Sequence, residues 1–161
     1  MSALRHIGVQ VGLLVFVLDQ ISKYVIVQAM DLKTRLSIDV LPPFVNFRMA
    51  WNEGINFGIL SDMGPEMRWF WVFLSLLISG WVIWWIRREG GGRMVMISAG
   101  LLVGGALGNV IDRIIYGAVA DFLNMSCCGI ENPFSFNVAD ISIFAGAFGL
   151  ILFSGKTPET P

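Results

Sequence analysis

Histidine and cysteine, the side chains behind many catalytic sites, are almost absent from this sequence. A single histidine, His6, leaves no His-based triad and no His-rich zinc site. The two cysteines, Cys127 and Cys128, are adjacent, where a mutual bridge is strained, although either could pair with another chain. We therefore expect neither thiol to be catalytic, no metal and no cofactor. The chemistry is left to Asp, Glu, Asn, Arg, Lys or Ser.

Charged residues are also scarce. They make up 14% of the 161 residues, against 55% hydrophobic residues, and the mean hydropathy is +0.70. A soluble domain of this length needs far more polar surface. The net charge of −1 provides no basic surface for nucleic acid. The composition predicts a mainly α-helical, polytopic membrane protein with one domain over residues 1–161.

Four apolar segments are candidates for crossing a hydrocarbon core of about 30 Å. We expect transmembrane helices at about residues 7–27, 69–86, 94–115 and 138–153. The fourth is short, so it includes flanking residues or tilts little. The first segment also resembles a signal peptide, but its length, its lack of a clear cleavage site, and Asp19 and Lys23 favour a retained helix.

Basic residues next to short loops predict the orientation. Arg5, the RREGGGR connection at residues 87–93, and Lys156 fall on one side if four helices cross. On the opposite side, acidic residues balance the basic ones. Both termini are therefore expected in the cytoplasm, with the two longer loops outside.

The first outer loop, about residues 29–67, contains an alternating pattern. In FVNFRMAWN, residues 44–52, apolar and polar side chains alternate, which predicts a strand with one wet face. Pro42 and Pro43 before it and Gly54 after it are natural stops. We expect a small β-sheet lying on the outer membrane surface.

Polar residues inside the predicted helices are concentrated toward the outer side. Ionisable groups in a membrane segment cost about 2.5–3.5 kcal/mol each, so they are seldom kept without a use. Because four separate segments place such groups at one depth, the sequence predicts one site. The residues are Asp19, Gln20, Lys23, Asn109, Asp112, Arg113, Asp121 and Asp140.

Spacing alone leaves several interpretations open. Asp19 and Lys23 are four residues apart and could simply neutralise each other during insertion. Arg113 could anchor its helix by snorkelling or bind carboxylates or peptide carbonyls. Asp121 and Asp140 could be unrelated interface acids. In contact, they would share a proton, one acting as a base toward water and the other polarising a carbonyl.

Five motifs narrow these choices. In this order along the chain, they resemble blocks of the lipoprotein signal peptidases (signal peptidase II), the aspartic membrane peptidases of bacteria. The blocks are DQISK at 19–23, NEGINFG at 52–58, GGALGNVIDR at 104–113, VADF at 119–122 and FNVAD at 136–140. One departure is Ile55-Asn56, where small residues are common in the family.

The resemblance implies roles for individual residues. Asp121 and Asp140 would form the catalytic dyad. The substrate groove would be lined by Asn52, Asn109, Arg113 and Asn137, and the site would be supported by Asp19, Gln20, Lys23, Gly54 and Asp112. The implied substrate is a diacylglyceryl-prolipoprotein, cleaved just before its lipidated cysteine. The implied enzyme is a monomer among the lipids of the bacterial inner membrane, with its active site near the periplasmic face.

Two other classes of protein also carry acids in membrane helices. A small proton-coupled transporter or channel subunit would relay protons, but it should carry polar groups through the midplane, and the second helix here has none. A structural scaffold would leave the cost of the buried polar residues unexplained. The motifs favour the peptidase.

Overall fold

Helices dominate the structure, a computed structural model that describes residues 2–54, 66–130 and 132–155. Each of the four predicted segments is helical, and the first three extend a few residues beyond the predicted limits. The helices are α1 (Ser2–Lys23, continued by a π-helical segment, Tyr24–Ala29), α2 (Leu32–Arg35), α3 (Met67–Glu89), α4 (Arg93–Tyr116) and α5 (Val138–Phe153).

The helices differ in whether their length is enough to cross a membrane. Within the described ranges, three stretches are long and apolar enough: His6–Ala29, Met67–Glu89 and Arg93–Tyr116. Helix α5 has 16 residues, which corresponds to about 24 Å at 1.5 Å per residue and is less than a core of about 30 Å. The chain therefore has three to four apolar helices.

Helix α4 lies at the centre and packs against α1, α3 and α5. Its glycines allow neighbouring backbones to come close, as small residues do in membrane helix interfaces. A Cβ atom on Gly104 would collide with the backbone of Gly12 in α1, and one on Gly105 would lie 2.5 Å from the Ala139 carbonyl oxygen of α5. Close backbone packing thus holds α1 against Gly104 and α5 against the adjacent Gly105.

Replacing Gly104 with alanine should destabilise the fold, because backbone atoms of Gly12 block the new methyl group. Thermal unfolding in detergent would measure the loss, which we expect at about 1–3 kcal/mol. Gly80→Ala in α3 is the matched control, since among the described residues no atom outside the nearby backbone of α3 lies within 4 Å of its Cβ position. That control should be neutral or slightly stabilising, since alanine is the better helix former. Equal effects of the two substitutions would contradict this account of the packing.

A three-stranded antiparallel sheet, in the order β1-β2-β3, lies beyond the helices. The strands are β1 (Ser37–Leu41), β2 (Val45–Asn52) and β3 (Val119–Asn124). Sequence analysis predicted the sheet in the first loop but missed β3, which comes from the connection after α4. This third strand pairs Asp121 with Ala50 of β2.

The prediction that β2 has one solvent-exposed face and one apolar face is wrong in part. Arg48 is exposed, but Asn46 is only 4% exposed, and Trp51 of the predicted apolar face is 44% exposed. The pairing of β2 with β3 shifts register between Phe47 and Ala50, so the strict alternation of faces is interrupted there. One face packs on the π-helical segment and α2 through Val27 and Leu32.

The adjacent cysteines contradict a further sequence prediction. Cys127 and Cys128, not expected to bridge each other, form a disulfide in the turn that follows β3. Residues 55–58 of the NEGINFG motif and Lys156, used to predict orientation, lie outside the described residues.

Candidate active site

The sheet and α5 bring the two lone acids to one place. Asp121 lies in β3 and is 2% exposed, and Asp140 lies half-buried in the first turn of α5. Between them, the chain folds back so that Phe136 exchanges two backbone hydrogen bonds with Leu123, at 2.8 and 3.0 Å. This return is what places the start of α5 beside β3.

A capping box holds the carboxylate of Asp140. Asn137 is the N-cap of α5; its side-chain oxygen accepts from the Asp140 backbone N–H at 2.9 Å. In return, Asp140 Oδ2 accepts from the Asn137 N–H at 3.1 Å. Sequence analysis missed this cap, although an asparagine three residues before an acid at the start of an apolar run is its usual signal.

Two asparagines link the two acids. Asn137 Nδ2 donates to Asp121 Oδ1 at 2.6 Å and to Asn109 Oδ1 at 3.2 Å. Asn109 Nδ2 in turn donates to Asp140 Oδ1 at 2.9 Å. The carboxylates of Asp121 and Asp140 thus belong to one hydrogen-bonded chain, and their orientation is fixed from both sides.

The second oxygen of Asp121 is held from β2. Asn52 Nδ2 donates to Asp121 Oδ2 at 3.1 Å, and Asn52 Oδ1 accepts from the Gly54 N–H at 2.9 Å. Gly54 has φ of 105°, a conformation that favours glycine, which explains the residue type at this place in the NEGINFG motif.

Lys23, Asp19 and Asp112 form a buried ion cluster next to Asp121 and Asp140. Lys23 Nζ is 2.8 Å from Asp19 Oδ2 and 2.7 Å from Asp112 Oδ2, and all three side chains are nearly inaccessible. Lys23 also donates to Asn109 Oδ1 at 3.2 Å. Gln20 adds bonds to Asp19 at 3.1 Å and Asp112 at 3.3 Å. One cation thus pairs with an acid of α1 and an acid of α4.

Asp19 and Asp112 also accept hydrogen bonds from the backbone next to Asp140 and Asp121. Asp19 Oδ1 accepts from the N–H of Ala139, next to Asp140, at 3.0 Å. Asp112 Oδ2 accepts from the N–H of Ala120, next to Asp121, at 3.1 Å. The family resemblance implies a supporting role for Asp19 and Asp112, but the backbone N–H groups that they bind cannot be recognised from the sequence.

Arg113 has donors left over for a further partner. It is 9% exposed, and its Nη1 donates to the carbonyl oxygen of Asn109 at 3.4 Å. Its Nε is buried without a hydrogen-bond partner among the described residues. Buried donors are nearly always satisfied, so an unsatisfied one on a planar fork fits a ligand carbonyl or carboxylate.

The environment makes Asp121 titrate near neutral pH. Burial, with the negative charge of Asp140 as the second cause, raises the pKa of Asp121 to about 7. The hydrogen bonds from Asn52 and Asn137 act in the opposite direction but only in part. Because the two carboxyls interact, their protons belong to the pair. Near neutral pH the pair can therefore hold one shared proton.

All the predicted site residues thus meet in one cluster, where α1, β2, α4, β3 and the start of α5 converge. No group of three His, Cys, Asp or Glu side chains suited to a metal ion occurs within the described part of the chain. Apolar helices that bring two linked carboxyls together define a membrane protein equipped for acid–base chemistry.

Comparison with known proteins identifies the family. The profile of signal peptidase II matches residues 11–155. The chain belongs to the signal peptidase II family; it is a peptidase and a multi-pass membrane protein. This assignment favours the peptidase over the transporter or channel subunit that buried acids alone also allow.

Relatives and solved structures agree with the family. The chain is 38% identical to the lipoprotein signal peptidase of Alteromonas mediterranea, with 88% of this chain and 76% of the relative covered. It is 43% identical to that of Methylorubrum extorquens, with 75% and 70% covered. Two solved structures of bacterial membrane enzymes are also similar to this chain. The first is 29% identical, with a TM-score of 0.76 and 90% of both chains covered. The second is 28% identical, with a TM-score of 0.75, and the match covers 96% of this chain and 94% of the other.

Proposed function

We propose that the protein removes the signal peptide from diacylglyceryl-modified prolipoproteins by cleaving just before the lipidated cysteine. The observation that carries the proposal is the pairing of Asp121 with Asp140 through Asn137 and Asn109, in a chain of this family. Two carboxyls that share a proton provide a base and an acid in one place.

In this mechanism, Asp121 and Asp140 act as a catalytic dyad. The ionised carboxylate accepts a proton from water, whose oxygen forms a bond with the scissile carbonyl carbon. The protonated carboxyl donates to the carbonyl oxygen, which takes up the displaced electron pair. The carbon–nitrogen bond then breaks as the leaving amine receives a proton from the dyad. Water is consumed, and no metal or cofactor is required.

The substrate groove would be lined by Asn52, Asn109, Arg113 and Asn137. Arg113 is best placed to bind a peptide carbonyl, because its Nε has no partner among the described residues. Asn109 donates to Asp140, and Asn137 donates to Asp121. Besides lining the substrate groove, these two asparagines would therefore position the dyad. This arrangement would be supported by Asp19, Gln20, Lys23, Gly54 and Asp112.

In the membrane, we propose four crossings with both termini in the cytoplasm, as a monomer in the bacterial inner membrane. Helix α5 would cross with the help of its flanking residues. The two central acids then lie near the periplasmic face. A substrate anchored by a signal helix and two acyl chains would present its peptide bond at that depth, while water enters from outside.

A gel-shift assay tests the proposed substrate. The purified protein should shorten a diacylglyceryl-modified precursor and leave the same precursor without the lipid uncut. The control is the same lipidated precursor incubated with Asp121→Asn, which lacks one of the two carboxyls proposed to exchange protons with water and the scissile carbonyl. Equal cleavage of lipidated and unlipidated precursor would contradict the proposed specificity, and cleavage of neither would contradict the proposed substrate class.

The rate of cleavage should fall as the pH rises through about 7. The pKa of Asp121 is raised to about 7, so above that pH Asp121 loses the proton that would polarise the carbonyl. The measurement is kcat/KM against pH, which reports groups of the free enzyme. Asn52→Ala removes a donor that favours the ionised form, so its alkaline limb should move to higher pH. An unmoved limb would contradict this role of Asn52.

A further inference from the structure

An apolar groove lies among α1, α3 and α4, away from the candidate active site. Its volume is about 470 Å³, and its lining is almost entirely apolar side chains and glycine. On α1, the lining residues run from Gly8 to Phe16 and end before Asp19. The groove therefore lies toward the end of the bundle that carries the RREGGGR connection, not toward Asp121 and Asp140.

The dimensions of the groove select the kind of ligand. Along α4 it runs from Met96 to Leu107, which is about 17 Å at 1.5 Å per residue. This length is close to the hydrocarbon thickness of one leaflet, which is about half of a 30 Å core. A transmembrane helix is about 30 Å long, nearly twice the length of the groove. An extended hydrocarbon chain matches both the length and the apolar lining of the groove.

The charge at the end of the groove selects the head group. Arg87 is the charged residue in its lining, at the C-terminal end of α3. Arg88 and Arg93 follow within the same short connection and raise the local positive charge. Basic pockets between membrane helices on the cytoplasmic side bind anionic head groups.

We propose that this groove binds one acyl chain of an anionic phospholipid, whose phosphate contacts Arg87. The lipid comes from the cytoplasmic leaflet, in line with the orientation predicted from basic residues. It joins α1 to α3, both of which pack on α4. The site is separate from the dyad, so the proposal goes beyond the proposed peptidase function.

Native mass spectrometry of the full chain in detergent tests this proposal. Phosphatidylglycerol and phosphatidylcholine with identical acyl chains are added in turn. A one-to-one adduct is expected with phosphatidylglycerol. Arg87→Gln should lower the bound fraction about fivefold, the effect expected for one basic residue. Arg88→Gln is the matched control, because Arg88 lies over the Trp84 ring and does not line the groove.

A second pair of variants tests the groove itself. Leu13 lines the groove and is 61% exposed, so Leu13→Trp fills it without disturbing the core. Leu18 is 49% exposed on the same helix but does not line it, so Leu18→Trp is the control. Only Leu13→Trp should reduce binding.

Four results would overturn the proposal. Three of them are equal retention of both lipids, equal losses in Arg87→Gln and Arg88→Gln, and full binding by Leu13→Trp. Displacement of the phospholipid by lipidated precursor would also overturn it and would assign the groove to the substrate. Because no cleavage is measured, failure of the peptidase proposal would leave these results unaffected.

Discussion

Asp121→Asn and Asp140→Asn should each lower the rate of cleavage of a lipidated precursor by roughly 10³-fold or more. Each substitution removes one member of a pair in which one carboxyl accepts a proton while the other donates. Asparagine has nearly the same shape, but its single amide oxygen keeps only one of the two hydrogen bonds that each carboxylate accepts, and it cannot exchange a proton. The double variant should be no slower than either single variant, because the two residues act as a unit.

A gel-shift assay with purified protein measures the effect, together with thermal unfolding to show that each variant is folded. Asp39→Asn in β1 is the matched control, because Asp39 is exposed and lies outside the site. It should cleave like the wild type. Retained turnover in a folded Asp121→Asn or Asp140→Asn protein would remove the dyad mechanism.

Lys23→Met should produce the largest loss of stability, about 3–5 kcal/mol. The substitution leaves Asp19 and Asp112 buried without their shared cation, and one unpaired buried charge is already costly. Lys33→Met is the control, because Lys33 is exposed and bonds only to Gln28 among the described contacts. The free energy of unfolding in detergent is the quantity to compare.

A rescue variant separates lost charge pairing from lost packing. Asp112→Asn, combined with Lys23→Met, removes one of the two uncompensated carboxylates and should restore part of the stability. If the combination is no more stable than Lys23→Met alone, buried charge is not the cause of the loss. Asp19→Asn in place of Asp112→Asn gives a second, independent comparison.

The helices and the identity of the polar residues could be predicted because their signals are local. Long apolar runs define the helices, and a lone acid such as Asp140 at the start of one is conspicuous by its cost. The motifs that contain Asp121 and Asn109 added the family. Composition and spacing also predicted that these residues belong to one site, and the structure brings their side chains into one hydrogen-bonded cluster.

The contacts that assemble the site could not be predicted, because they join distant segments. Strand β3 is short and almost wholly buried, so VADFLN shows no period-two alternation. Asn46 is buried against the hairpin turn through a bond to the Pro43 carbonyl oxygen, which no alternation pattern reveals. The backbone bonds from Ala120 and Ala139 to the buried acids depend only on the fold.

The position of the ion cluster has a consequence for biosynthesis. Asp19 and Lys23 can pair within α1 as soon as that helix forms, which lowers the cost of inserting it into the membrane. Their other partners, Asp112 and the Ala139 N–H, are translated much later. Helix α1 and the later-translated helix α5 must therefore meet before the proposed dyad is in place. A nascent or truncated chain that lacks α5 would therefore have no peptidase activity while it is being inserted.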